Sequence, residues 1–228
     1  MKRLLTCFAG LLALTTSSCA LASLLTVTPK TLIDQTVNCP TDENLKAEGF
    51  KVLSTQTWSQ GVIVLYTALC PTDDSKTAMR PVFGHKVVKR NGTIWQVSGS
   101  GSYRTANESA PSEELVEYGI GRSSNQRSGS APSQKAPSQK EEPYIILYGR
   151  VLKPSVVAVE ATFDNGKIVR DESSNGVFAL LAAGASGVCE VRVLGADNQI
   201  LRQEDLAMPK QRTRSEPIIR CLPMSHQL

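Results

Sequence analysis

The chain has 228 residues, of which 41% are hydrophobic, 20% charged and only 5% aromatic. That length accommodates one large domain or two small ones, and the apolar content excludes both a multi-span membrane protein and a wholly disordered chain. The formal charge of +4 includes Lys2 and Arg3 of an expected leader, leaving +2 for the mature chain, too weak an excess to imply nucleic-acid binding.

Residues 1–22 read as a signal peptide. Lys2 and Arg3 form a positive start, Leu4 to Leu14 an apolar run, and Ala20-Leu21-Ala22 before Ser23 supplies the small side chains that signal peptidase accepts. The run is too short to span a bilayer, which takes roughly 20 apolar residues, so no membrane span is expected. Thr16-Ser17-Ser18-Cys19 offers a competing reading. It resembles the lipobox of bacterial lipoproteins, in which Cys19 would be lipidated, but Thr16 stands where that family carries a bulky aliphatic residue. Cleavage to a soluble product is preferred over a lipid anchor.

Residues 23–110 read as a small α+β domain. Thr28 at an N-cap and Pro29 at the first helical position predict a short helix carrying Leu32, Ile33 and Val37, and Thr41 to Glu48 is a weaker second candidate. Four strands follow. Phe50 to Trp58 precedes a Ser59-Gln60-Gly61 turn, and the apolar run Val62 to Leu69 suits a central strand. Beyond a polar loop from Pro71 to Arg80, Val82 to Lys89 turns at Asn91-Gly92 into Thr93 to Val97. The expected fold is a helix plus a four-stranded antiparallel meander, an element order similar to cystatin-like and nuclear transport factor 2-like folds, with no shared motif.

Residues 111–143 read as a flexible linker. From Gly121 to Pro143 there is no Leu, Ile, Val or aromatic residue, and Ala131-Pro132-Ser133-Gln134-Lys135 is repeated at once as Ala136-Pro137-Ser138-Gln139-Lys140. Such a stretch buries too little apolar surface to offset the entropy of ordering it. Residues 144–223 read as a β-sandwich domain, followed by a tail at 224–228. Its strands are Tyr144 to Val151, Val156 to Phe163, Lys167 to Arg170 after Asp164-Asn165-Gly166, Val177 to Ala182 after Asn175-Gly176, Val188 to Leu194, and Gln199 to Leu206 after Ala196-Asp197-Asn198. Strict alternation in Val188 to Leu194 puts Cys189, Val191 and Val193 on the core face.

VEATFDNGKIVRDESSNGVFALL followed by VCEVRVLGADNQIL resembles the grammar of bacterial immunoglobulin-like modules: an Asx-Gly hairpin turn, a second Asn-Gly before a strand, and a late acidic turn. The whole chain also resembles secreted bacterial proteins with no assigned activity. Neither resemblance implies a catalytic residue.

Leader removal takes Cys7 and Cys19 and leaves Cys39, Cys70, Cys189 and Cys221. Export into an oxidising compartment favours disulfides, and of three full pairings Cys39–Cys70 with Cys189–Cys221 is preferred because the linker separates the two pairs. No Cys-x-x-Cys accompanies the two histidines, His85 and His226, so no metal or cofactor is expected. Nucleophile-elbow, phosphate-loop and dinucleotide motifs are missing. Val97-Ser98-Gly99-Ser100-Gly101-Ser102 and Gly184-Ala185-Ser186-Gly187 read as a strand end and a turn.

Weaker candidates are a His85–Cys70 dyad, cation-binding Asp73-Asp74 or Asp164-Asn165, a Trp58/Trp95 carbohydrate platform, and a basic cluster at Lys210, Arg212 and Arg214. Each has a structural alternative that the residues favour: disulfide, turn, packing and solvated loop respectively. The resulting expectation is a non-enzymatic exported binding or scaffolding protein of a bacterial envelope, with a protein or glycan partner. An unrecognised small secreted hydrolase and an extracellular peptidase inhibitor are the alternatives.

Overall fold

The computed structural model describes residues 38–39, 42–72, 75–91, 94–105, 113–123, 142–173, 175–208 and 220–221. The leader with Cys19, Ala20, Ala22 and Ser23, the candidate helix from Thr28, the tandem repeat, Asp73-Asp74, the basic cluster and the tail lie outside these residues.

Strands β1 (Asn38–Cys39) and β2 (Asp42–Lys46) form a small antiparallel pair. Strands β3 (Glu48–Trp58), β4 (Gly61–Thr72), β5 (Ser75–Asn91) and β6 (Ile94–Arg104) follow as an antiparallel meander, the first sheet. Next in the chain come β7 (Val116–Arg122), β8 (Tyr144–Val151), β9 (Ala158–Phe163), β10 (Ile168–Asp171), β11 (Val177–Ala183), β12 (Val188–Leu194) and β13 (Ile200–Asp205). They make a central sheet in the order β11-β8-β7 and a third sheet in the order β10-β9-β12-β13. A short ribbon of β14 (Ala207–Met208) and β15 (Arg220–Cys221) ends the described chain.

The fold is therefore mainly β and antiparallel, and the predicted four-stranded meander is present. The second candidate helix, Thr41 to Glu48, is corrected: Asp42–Lys46 is a strand, and Glu48 already belongs to β3. No α-helix occurs among the described residues. The expected polar loop at 71–80 is corrected too, because β4 runs to Thr72 and β5 starts at Ser75, pairing Cys70 with Arg80 and Pro71 with Met79.

The largest departure concerns the expected linker at 111–143. Val116–Arg122 is a strand, paired antiparallel to β8 from Val116↔Val151 to Arg122↔Ile145. Ser123 N donates to Tyr144 O at 3.1 Å, prolonging the ladder toward the repeat. The tandem repeat thus falls, in sequence, between two strands that pair with each other. Alternation explains the strand: Val116, Tyr118 and Ile120 face one way, Glu117, Gly119 and Gly121 the other.

The central sheet is buried on both faces, which is why Tyr144-Ile145-Ile146-Leu147-Tyr148 reads as a continuous apolar run. Ile145 and Leu147, with Phe178, Leu180 and Ala182 of β11, meet Val159, Ala161, Phe163, Val191 and Val193 of the third sheet. Burying side chains such as Leu147 or Phe178 contributes about 1.5–3 kcal/mol each. On the opposite face Tyr144, Ile146, Tyr148, Val177 and Ala179 meet Ile63, Leu65, Phe83 and Val87 of the first sheet. The blocks on either side of the repeat share this cluster, so three sheets are stacked as layers with β8 in the middle.

The third sheet turns its other face to solvent. Arg192 there pairs with Glu160 at 3.1 Å and Glu190 at 2.6 Å. Alternation in β12 departs from expectation in one respect. A β-bulge between Val188 and Glu190 lets Val188 join Val191 and Val193 in the core, and Cys189 is only half-buried. The extra residue takes Cys189 out of the alternation and leaves it beside β15.

Candidate functional site

The two disulfides are Cys39–Cys70 and Cys189–Cys221, separated by 31 and 32 residues. The first ties the β1–β2 pair to the end of β4, within a cluster of Tyr66, Ala68 and Val82. The second ties β15 to the bulge of β12. Cys70 is thereby committed, and the His85–Cys70 dyad is excluded by that bond.

Polar and aromatic side chains concentrate instead at the seam between the first and central sheets. The strands that face each other there, β6 and β7, carry glycines at alternate positions: Gly99 and Gly101 opposite Gly119 and Gly121. Val97 to Ser102 is thus mid-strand, correcting its reading as a strand end, and its glycines make room for rings. His85, on β5, lies between the two strands. A Cβ at Gly101 would sit 2.9 Å from the His85 Cε1 atom, and one at Gly121 would sit 2.5 Å from it. Tyr148 covers the imidazole with ring centroids 4.0 Å apart, and Phe83 and Tyr103 pack around Tyr148 at 6.1 and 5.7 Å.

His85 is fully buried (0% exposed), and neither Nδ1 nor Nε2 has a hydrogen-bond partner among the described residues. Burial pushes the imidazole down from its ordinary value to about 3. The nearby Gly101 backbone opposes this more weakly, without reaching hydrogen-bond geometry. Burial also raises the neighbouring phenols. The Tyr66 hydroxyl is pushed up to about 12, with its bond to Ser102 opposing, and Tyr103 and Tyr148 are displaced upward as well. At neutral pH the ring and these phenols are therefore uncharged.

Four residues along β5 on the same face, Lys89 places its ammonium 4.9 Å from the Tyr144 ring and 5.6 Å from the Trp58 ring. Aromatic faces favour a cation there by about 0.5–2 kcal/mol. The Tyr144 hydroxyl is 3.1 Å from Ser98 Oγ. At the other end of the seam the Tyr103 hydroxyl donates to Glu117 O at 3.2 Å, and Glu117 pairs with Arg150 at 2.5 Å. Gln56 of β3 donates to Asp171 at 2.6 Å, and Asp171 also accepts from Ala179 N at 2.9 Å.

The remaining sequence candidates fall apart in space or into turns. Trp58 packs in the seam while Trp95 packs with Val62, Val64 and Val88 on the outer face of the first sheet, so they form no common platform. Asp164 accepts from Ser186 N at 2.9 Å, and Asn165 accepts from Lys167 N at 3.1 Å, which ties them to neighbouring turns. Among the described residues no cluster of three or more His, Cys, Asp or Glu could hold a metal ion. Sequence reasoning treated His85 singly and missed the seam. Its signal was the pair of Gly-x-Gly steps at Gly99/Gly101 and Gly119/Gly121, which alternate with the strand period.

No family model, no curated protein and no solved structure matches this chain.

Proposed function

We propose that the protein is an exported, non-enzymatic binding or scaffolding module of a bacterial envelope. Its central and third sheets would serve as an immunoglobulin-like sandwich that meets a protein or glycan partner. The two disulfides carry this reading, because paired cysteines persist in oxidising compartments and are rare in the cytosol. No helix among the described residues is long and apolar enough to cross a membrane. The partner would engage a sheet edge: β3, β10 and β13 each end a sheet among the described residues, and an added strand gains main-chain hydrogen bonds there.

The test is fractionation of cells expressing the full chain with its own leader, followed by intact-mass analysis and thiol counting. A chain beginning at Ser23 with no free thiol is expected. A lipidated start at Cys19 would replace the soluble form by an anchored one, and an unprocessed, reduced chain in the cytosol would contradict export. Serine- and cysteine-directed activity probes should leave the purified protein unmarked, and stoichiometric labelling would contradict the non-enzymatic reading.

A further inference from the structure

We propose that His85 is an acid-sensitive latch: its protonation parts the first sheet from the central sheet and uncovers the apolar face formed by Tyr144, Ile146 and Tyr148. The imidazole is fully buried, and neither nitrogen is partnered among the described residues. Glycines in two different sheets wall it in, and a Cβ on either would collide with the ring. A second ring proton adds a charge and an N–H donor, and both require water or an acceptor.

The groups that face the ring bring no water and no hydrogen-bonded acceptor, since the nearby Gly101 backbone is out of hydrogen-bond geometry with either nitrogen. β8 presents the Tyr148 ring, β7 presents Gly121, and β6 presents Gly101 with Tyr103 beyond it. β4 contributes Leu65 as the register neighbour of His85, with the Tyr66 hydroxyl bonded to Ser102. On β5 itself Lys86 points to the opposite face, and the Lys89 ammonium, a like charge, is held by Trp58 and Tyr144. The Glu117 carboxylate is engaged by Arg150. Hydration of the imidazolium therefore requires the layers to separate.

The direction follows from linkage. The closed ring stays neutral until about pH 3, whereas an opened, hydrated ring takes its proton near 6.5. Closure is fully favoured above pH 6.5 and weakens as pH falls from there toward 3, shifting the equilibrium ~30-fold toward the opened form by pH 5.

Trp58 lies in the seam and reports it once Trp95 is replaced. The experiment is urea titration of the full-length Trp95→Phe chain at pH 7.5 and pH 5, followed by Trp58 emission and by far-ultraviolet circular dichroism. At pH 5 the Trp58 transition is expected at lower urea than the dichroism transition, with the ~30-fold shift. Adding His85→Phe should remove that shift and bring the two probes together. Coincident probes at pH 5, or an equal pH response with His85→Phe, would overturn the latch. Should His85→Phe fail to fold, imidazole titration by NMR in the native chain decides. With only two histidines present, a His85 midpoint near 6.5 without loss of the Trp58 signal would overturn the proposal. Titration coinciding with the loss of that signal supports it.

Discussion

The two faces of β8 are packed against neighbours of different chemistry. Toward the third sheet, Ile145 and Leu147 meet Val, Ala, Leu and Phe side chains, and the one titratable side chain packed against the cluster, Tyr118, is only partly buried and bonded to Glu204. Toward the first sheet, Tyr144, Ile146 and Tyr148 meet a layer that includes His85, Lys89, Trp58 and Tyr103. Burial excludes water from both, yet the second also encloses His85 and Lys89, nitrogen bases whose charge state changes the cost of burial. Two buried faces of one strand are thus set to respond differently to acid, and the difference resides in a few side chains of β5 rather than in β8.

The comparison can be broken most strongly on the aliphatic side. Phe178→Ala removes a fully buried ring facing the third sheet and is expected to cost about 3–5 kcal/mol, measured by urea unfolding, with the same loss at pH 7.5 and pH 5. A loss that grows in acid would show that the two faces are not chemically distinct. Replacing Cys39 and Cys70 together by Ser is expected to cost about 3–4 kcal/mol, since a loop of 31 residues is freed in the unfolded chain. The loss should appear in the unfolding midpoint of the non-reduced protein, leaving the third sheet's Cys189–Cys221 bond intact by peptide mapping.

On the seam side, Gly121→Ala forces a methyl group against the His85 ring and is expected to cost about 1–3 kcal/mol. Its signature is raised acrylamide quenching of Trp58 in the Trp95→Phe background, a response that Phe178→Ala should not share before global unfolding. The smallest effect is expected on the solvated face of the third sheet. Arg192→Ala there should change stability by less than about 1 kcal/mol, because its two carboxylate partners are only partly buried.

Much of the β-framework was legible from local signals. The meander from Phe50 to Val97 followed from apolar runs and an Asn-Gly turn, and the strands after Val156 from alternation and Asx-Gly turns. The layering was not legible, for two physical reasons. The hydrophobic run of β8 reports burial but does not say that its two faces have different owners. The alternation Val116, Tyr118, Ile120 was overshadowed by the polar repeat that follows it, so a strand of the central sheet was grouped with the spacer. The bulge at Cys189 was likewise invisible, because one inserted residue leaves the composition of a strand unchanged. The seam escaped for a related reason: glycines are read as turns when counted singly, whereas at alternate positions of two facing strands they make space for rings.

The blocks flanking the tandem repeat form one layered body around β8. Neither disulfide crosses the repeat, so a cut there leaves no covalent link between the two halves. The direct measurement is size-exclusion chromatography, in native buffer at pH 7.5, of a full-length chain carrying a protease site between residues 130 and 131, before and after complete cleavage. Co-elution of both fragments at the volume of the uncut protein is the predicted result, held by the β7–β8 ladder and the seam. Two fragments that separate and each remain folded would contradict it.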